Sequence, residues 1–242
     1  MSHSFSFHKF ALTSLLGLSL LGLTGCATSL NENEIADPLE GLNRAVYGVN
    51  EAADILFIGP ASTIYHEGMP EPVQGVVRNF FRNLEMPVIA INKLLQGNVD
   101  GFGTAVGRFF VNTIAGVGGL ADVATNVGLP YEDTDFGITL ASWGMDPAFY
   151  LVLPVVGPSS LRDGIGRGVD WYADPVRLTA HNNDLDGAMF GVSTARAIDT
   201  RASYDAAIRD TRTNTLDTYA AWRSLYSQSR AAEITKQLGP GH

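Results

Sequence analysis

The chain is 242 residues long and carries 16 Lys and Arg against 25 Asp and Glu, a formal net charge of -9, with a single cysteine. Neutralising a phosphate backbone takes clustered Lys and Arg, so this balance argues against nucleic acid as a partner. One cysteine gives no intramolecular disulfide framework, and the length suits one large domain or two small ones, of which one is the simpler reading.

Residues 1–25 read as a secretory signal. Lys9 precedes fourteen apolar or small uncharged residues, Phe10 to Leu23, too few for a membrane span of ~20 residues but right for a signal core. Leu23-Thr24-Gly25-Cys26 closes the segment and resembles a bacterial lipobox, which makes Cys26 the candidate lipidation site and the first mature residue. A buried free cysteine behind an ordinary signal is the bland alternative. Loss of Lys9 leaves 15 basic residues against 25 acidic. Residues 26–36 are polar and short of large apolar groups, as in a tether between lipid and fold.

The folded region is expected to run over 37–235. Asp37-Pro38-Leu39-Glu40 supplies an N-cap carboxylate, a proline at the first helical position and a Glu three residues after the cap. Leu39, Leu42, Val46, Val49, Ala53 and Leu56 form one helical stripe, which Gly59-Pro60 is expected to stop. Pro70-Glu71-Pro72 opens a second helix, interrupted at Pro87, and Phe102 to Phe110 marks another. A glycine-rich stretch, Gly116 to Gly119, leads to a short helical turn and then to the acidic loop Tyr131 to Asp135. Phe149 to Leu153 has strand composition, but Pro147 and Pro154 bracket it without an evident partner, so helix or an extended crossing is expected. Ser159-Ser160 and Asp174-Pro175 read as caps of two further helices, and a C-terminal helix carries Leu216, Tyr219, Trp222 and Tyr226. Residues 236–242 are expected to be a disordered tail. The class is all-α.

Motifs for chemistry fail on context. Gly116-Val117-Gly118-Gly119-Leu120-Ala121 matches a dinucleotide turn but follows a helix and lacks a βαβ unit. Asn182, Asp184, Asp186 and Gly187 copy half of a calcium loop whose twelfth position is Ser193 instead of Glu. His66-Glu67 lacks the second histidine of a zinc protease, and Ser159 sits in no nucleophile elbow, so no metal site, cofactor or catalytic residue is assigned. The longest uncharged run of the mature chain, Pro147 to Leu161, is 15 residues with three prolines, too short to span. Several segments are nonetheless apolar on more than one face. They are either core or, beside a lipid anchor, helices lying in one leaflet with polar residues facing an internal path.

Asp37-Pro38-Leu39-Glu40-Gly41-Leu42-Asn43-Arg44, Asn79 to Leu84 with Pro87, Leu94-Leu95-Gln96-Gly97, Arg108 to Thr113 and Gly116 to Asp122 occur in that order. Asp135 to Leu140, Trp143-Gly144, Tyr150 to Pro154, Gly157-Pro158-Ser159 and Leu161-Arg162-Asp163 continue the series. The ordered set resembles the VacJ/MlaA outer-membrane lipoproteins over about residues 37 to 172, with weaker similarity through Asp199 to Tyr226. Gly144 to Tyr150 departs from the family's glycine-rich approach to Pro-Tyr. The resemblance implies a single-domain helical ring, embedded in the periplasmic leaflet of the outer membrane of a Gram-negative bacterium, with a central amphipathic channel. It implies removal of mislocalised phospholipids from the outer leaflet, with phospholipid as the transported ligand. The implied partners are trimeric porins and a periplasmic lipid carrier. It also implies a mobile hairpin beside the channel at Gly128 to Gly137, which makes Gly128, Asp133, Asp135 and Gly137 candidate channel-side residues. Ala27 after Cys26 is consistent with export to the outer membrane. A membrane-anchored phospholipase and a porin-associated scaffold are the competing readings.

Overall fold

The computed structural model describes residues 34–239. Cys26, the signal segment, most of the tether and the last three residues of the tail lie outside the described residues.

The chain opens with α1 (Glu40–Ala53), which passes through a π-helical turn (Asp54–Ile58) directly into α2 (Gly59–Gly68). Gly59-Pro60 therefore widens the helix instead of stopping it. Pro60 has no N–H for the Leu56 carbonyl, and the wide turn absorbs that loss, with the Gly59 N–H reaching back to the Asp54 carbonyl. Asp37 does not cap α1, because the residue before the helix is Leu39. Its carboxylate instead takes the Asn43 amide at 2.8 Å and the Tyr219 hydroxyl.

α3 (Glu71–Leu95) runs unbroken through Pro87. Met86, Ile89 and Ala90 pack on Ala105 of α4 (Val99–Ile114) in the most extensive helix pairing of the fold, which holds the helix across the missing hydrogen bond. Gly116 to Ala121 is a tight loop without a βαβ context: Gly119 has φ +91 and packs so closely on Asn83 that a Cβ would lie 2.5 Å from that side chain. Short α5 (Val123–Asn126) and α6 (Phe136–Ser142) follow.

Tyr150–Leu153 forms β1, paired antiparallel with β2 (Gly157–Ser160), which corrects the expected helix or unpaired crossing. Pro154 lies in the turn, where it blocks no ladder bond, and Gly157 has φ +90. The outer edge of β1 is covered by side chains of α1. Asn43, two turns before Asn50, donates to the Tyr150 carbonyl and accepts from Val152 N–H, both at 3.0 Å. Asn50 does the same for the Leu153 carbonyl and Val155 N–H at 2.9 and 2.8 Å. A one-hairpin sheet in a helical domain thus has its exposed edge closed.

The remaining helices are α7 (Leu161–Ala173), α8 (Pro175–His181), α9 (Asp186–Ser203), α10 (Asp205–Asn214) and α11 (Thr218–Leu238). Ser160 and Asp174 cap α7 and α8, with acceptor bonds to Asp163 N–H and Val176 N–H. α11 is helical to Leu238, beyond the expected start of a disordered tail, because Leu238 packs on Ile138 and Ile234.

The fold is all-α apart from the hairpin, and its polarity is inverted. Among the described residues 19 polar or charged side chains are buried against 14 apolar ones, so the interior is held mainly by hydrogen bonds and ion pairs. Part of the α1 stripe faces outward, with Leu42 and Val49, and Leu56 in the π-helical turn, 60%, 67% and 65% exposed, while Val46 packs on the core and Asn43 is buried. No described helix is long and apolar enough to cross a membrane.

Candidate functional site

Among these helices lies a cavity of about 800 Å3, open on one side and walled by α3, the end of α7, α8, α9 and the loop before α6. Helical periodicity selects its lining. Phe81, Glu85, Val88 and Ile89 share one face of α3, and Met189, Val192, Ser193 and Arg196 share one face of α9. Glu85 on the α3 wall and Arg196 on the α9 wall meet as an ion pair, and Asp186 at the head of α9 adds a further charge to that wall.

The loop wall is fixed from behind. Asp135 caps α6 through Ile138 N–H at 2.9 Å and receives both Nη atoms of Arg230 at 2.8 and 2.6 Å. The same guanidinium reaches Asp163 at 3.0 Å, and Asp163 also takes Arg162 Nε at 3.1 Å and the Tyr226 hydroxyl. Burial by itself would raise the Asp163 carboxyl, but Arg230, Tyr226 and Arg162 overcome it and hold it down at about 2. α6 and α7 cross at two glycines, where a Cβ on Gly166 would sit 2.4 Å from Gly137 N. A second polar seam joins α3, α6 and α7. Asn92 donates to Asp170 at 2.7 Å and accepts from Thr139 at 2.8 Å, while Gln96 donates to Thr134 and Thr139 at 2.8 and 3.0 Å.

Of the four loop candidates, Asp133 and Asp135 line the cavity, Gly137 is buried at the α6–α7 crossing, and Gly128, φ +85, is exposed in the turn after α5 and is not among the lining residues. Asp133 is accessible to solvent, yet helices surround it, and burial together with the charges of Asp135 and Glu233 pushes its carboxyl up. Burial does the same to Asp170, which lines the adjacent wall.

Sequence reasoning did not single out Glu85, Asp170, Arg177 or Arg196. Their signal was a charge set into an otherwise apolar helical face, readable only once the face is known to look inward. His66 is exposed on α2, whereas Ser159 is fully buried with its hydroxyl donated to the Ser160 carbonyl at 3.2 Å, so neither meets the other as nucleophile and base. The half calcium loop is a helix start: Asp186 opens α9 and faces His181 Nδ1 at 2.9 Å. No cluster of metal-ligating side chains occurs among the described residues.

The sequence profile of the MlaA lipoprotein family matches residues 35–233, which include every wall of the cavity. The chain belongs to that family. An uncharacterized protein of Rickettsia felis is 36% identical over 208 residues, covering 84% of this chain and 81% of that one. The intermembrane phospholipid transport system lipoprotein MlaA of Escherichia coli is 35% identical over 164 residues, covering 66% of this chain and 65% of that one. A solved structure described as the structural basis for maintenance of bacterial outer membrane lipid asymmetry superposes with a TM-score of 0.69 at 31% identity, over 82% of this chain and 99% of its own. The MlaA-family motifs now have a physical meaning. Asn43, Asn83, Arg108, Asn112, Thr139 and Asp163 are buried polar groups that hold the helices together.

Proposed function

We propose that this MlaA-family chain removes mislocalised phospholipids from the outer leaflet of a Gram-negative outer membrane and passes them to a periplasmic carrier, which maintains lipid asymmetry. The observation that carries the reading is the inverted polarity: apolar helix faces outside, buried polar groups inside and a mixed cavity open to the surface among them. A headgroup dragged through hydrocarbon unshielded costs several kcal/mol or more, and a polar-lined route within an apolar-faced ring removes that cost. The outward faces suit one leaflet, because no described helix is long and apolar enough to cross a membrane. Acylation at Cys26 would anchor the ring in the periplasmic leaflet, and the exposed apolar rim offers contact to a trimeric porin. The loop from Gly128 to Gly137 would act as the channel-side element, with its Gly128 end free to swing and its Asp135 end pinned. The work needs no catalytic residue.

The test is a deletion strain. Loss of the gene should raise outer-leaflet phospholipid and sensitise cells to detergent, and the wild-type gene should reverse both. Ser193→Trp, which fills the cavity, should be stably made and fail to restore asymmetry. Full rescue by that variant would favour a scaffold for porins, and hydrolysis of phospholipid vesicles by the purified chain would favour the enzyme reading.

A further inference from the structure

The cavity walls hold charges of both signs that the protein does not satisfy itself. Glu85 is neutralised by Arg196 and Asp135 by Arg230. Arg177 is different: its guanidinium lies flat over the Trp171 ring, 3.1 Å from the centroid, and its Nη1 is buried without a hydrogen-bond partner. No ion pair engages it among the described residues. On the walls of the same cavity, Asp133 and Asp170 make no salt bridge with a cation among the described residues. Asp170 accepts only from neutral donors, Asn92 at 2.7 Å and Phe136 N–H at 2.8 Å, which leaves half of its lone-pair sites open. Burial pushes both carboxyls up, helped at Asp133 by the charges of Asp135 and Glu233.

We propose that the cavity selects zwitterionic phospholipids with a primary ammonium, Arg177 taking the phosphate and Asp133 and Asp170 taking the ammonium. This rests on the transport reading and names the substrate class it implies. A headgroup with phosphate alone would satisfy Arg177 but leave two carboxylates beside a further negative charge. A primary ammonium supplies three N–H donors to the open carboxylate sites. A quaternary ammonium has no N–H and cannot donate to the open carboxylate sites.

The experiment uses the full acylated chain in detergent. It is incubated with mixed micelles holding equal amounts of phosphatidylethanolamine, phosphatidylglycerol and phosphatidylcholine with identical acyl chains, and bound lipid is counted by mass spectrometry. Phosphatidylethanolamine should exceed each of the others by about tenfold. Asp133→Asn together with Asp170→Asn should bring the ratio toward one while total bound lipid holds, and Arg177→Gln should lower binding of all three. Asp133→Asn alone, at a side chain that makes no structural ion pair, should lower the ratio severalfold without affecting the fold. Equal binding of phosphatidylethanolamine and phosphatidylglycerol by the wild type, or a ratio that Asp133→Asn leaves unmoved, overturns the proposal. Absence of any bound phospholipid on the wild type would overturn the transport reading itself, and this selectivity with it.

Discussion

Arg230 on the C-terminal helix and Asp135 at the head of α6, 95 residues apart in sequence, meet through two parallel hydrogen bonds of 2.8 and 2.6 Å. The planar fork of arginine matches a carboxylate in this way, so the contact fixes direction as well as distance. α11 thereby sets where the cavity loop ends, and Gln237, two turns further on, donates to the Asp133 carbonyl in the same loop.

Removing Arg230 leaves Asp135 and the buried Asp163 without their main cation. Arg230→Met should cost about 3–5 kcal/mol of stability, because an uncompensated buried charge is dearer than the pair was favourable. Denaturant titration in detergent reads this. A loss below about 1 kcal/mol, within the range of an exposed ion pair, would show that the contact is not structural.

Stability should fall in acid through the same site. The Asp163 carboxyl is held at about 2 in the folded chain against an ordinary value near 3.9 unfolded. A lowered folded pKa contributes stability that is fully present above the unfolded value and is lost as pH falls toward about 2. The contribution is about 2–3 kcal/mol by linkage. Asp163→Asn should therefore be less stable than wild type at pH 7, with the gap closing as pH drops from about 4 to about 2. Asp133 and Asp170 act with the opposite sign, since their raised carboxyls make ionisation unfavourable in the fold and protonation relieves it. A gap independent of pH would place the effect in packing.

The crossing of α6 and α7 tolerates no side chain. A Cβ on Gly166 would lie 2.4 Å from Gly137 N, and one on Gly137 would lie 2.5 Å from Asp163 Oδ1. Gly166→Ala should destabilise by about 1–3 kcal/mol or more through forced backbone movement. Gly168→Ala, on the same helix with nothing within 4 Å, should be neutral or stabilising by about 0.5–1 kcal/mol. Thermal melts of the two variants separate local packing from helix propensity.

The outward apolar faces should hold the chain on membranes without help from acyl chains. Phe57 on the π-helical turn and Ile64 on α2 are 70% and 74% exposed. A Cys26→Ser chain should remain largely in the membrane fraction, and adding Phe57→Asp and Ile64→Asp should move it to the soluble fraction. Each lost apolar contact is worth about 1.5–3 kcal/mol, so together they shift partitioning by more than tenfold. Fractionation that leaves the triple variant with the membranes would exclude this face as the contact.

Much of the helix content was legible in residue order. Local chemistry fixes caps such as Ser160 and Asp174, and apolar spacing of 3 and 4 marks α1, α3 and α4, because these depend on neighbours within a few turns. Local signals misled where long-range packing overrode them. Gly59-Pro60 reads as a stop, but Arg201 and Arg212, far along the chain, hold Asp54 and support a widened turn. Pro147 and Pro154 argue against a strand, but Asn43 and Asn50 of α1 supply the missing partner on one edge and β2 the other.

Residue order alone establishes that the chain is helical, that its ordered motifs are those of one family, and that its helices have two unlike faces. Which face looks inward follows from packing between distant segments. Periodicity records that Leu42, Val49 and Leu56 lie apart from Asn43, but it is silent on the medium each side meets. Packing of the domain turned Asn43 to the interior and Leu42, Val49 and Leu56 out. Packing also brought Asp133, from a loop far earlier in the chain, to the walls of the cavity that Asp170 and Arg177 line.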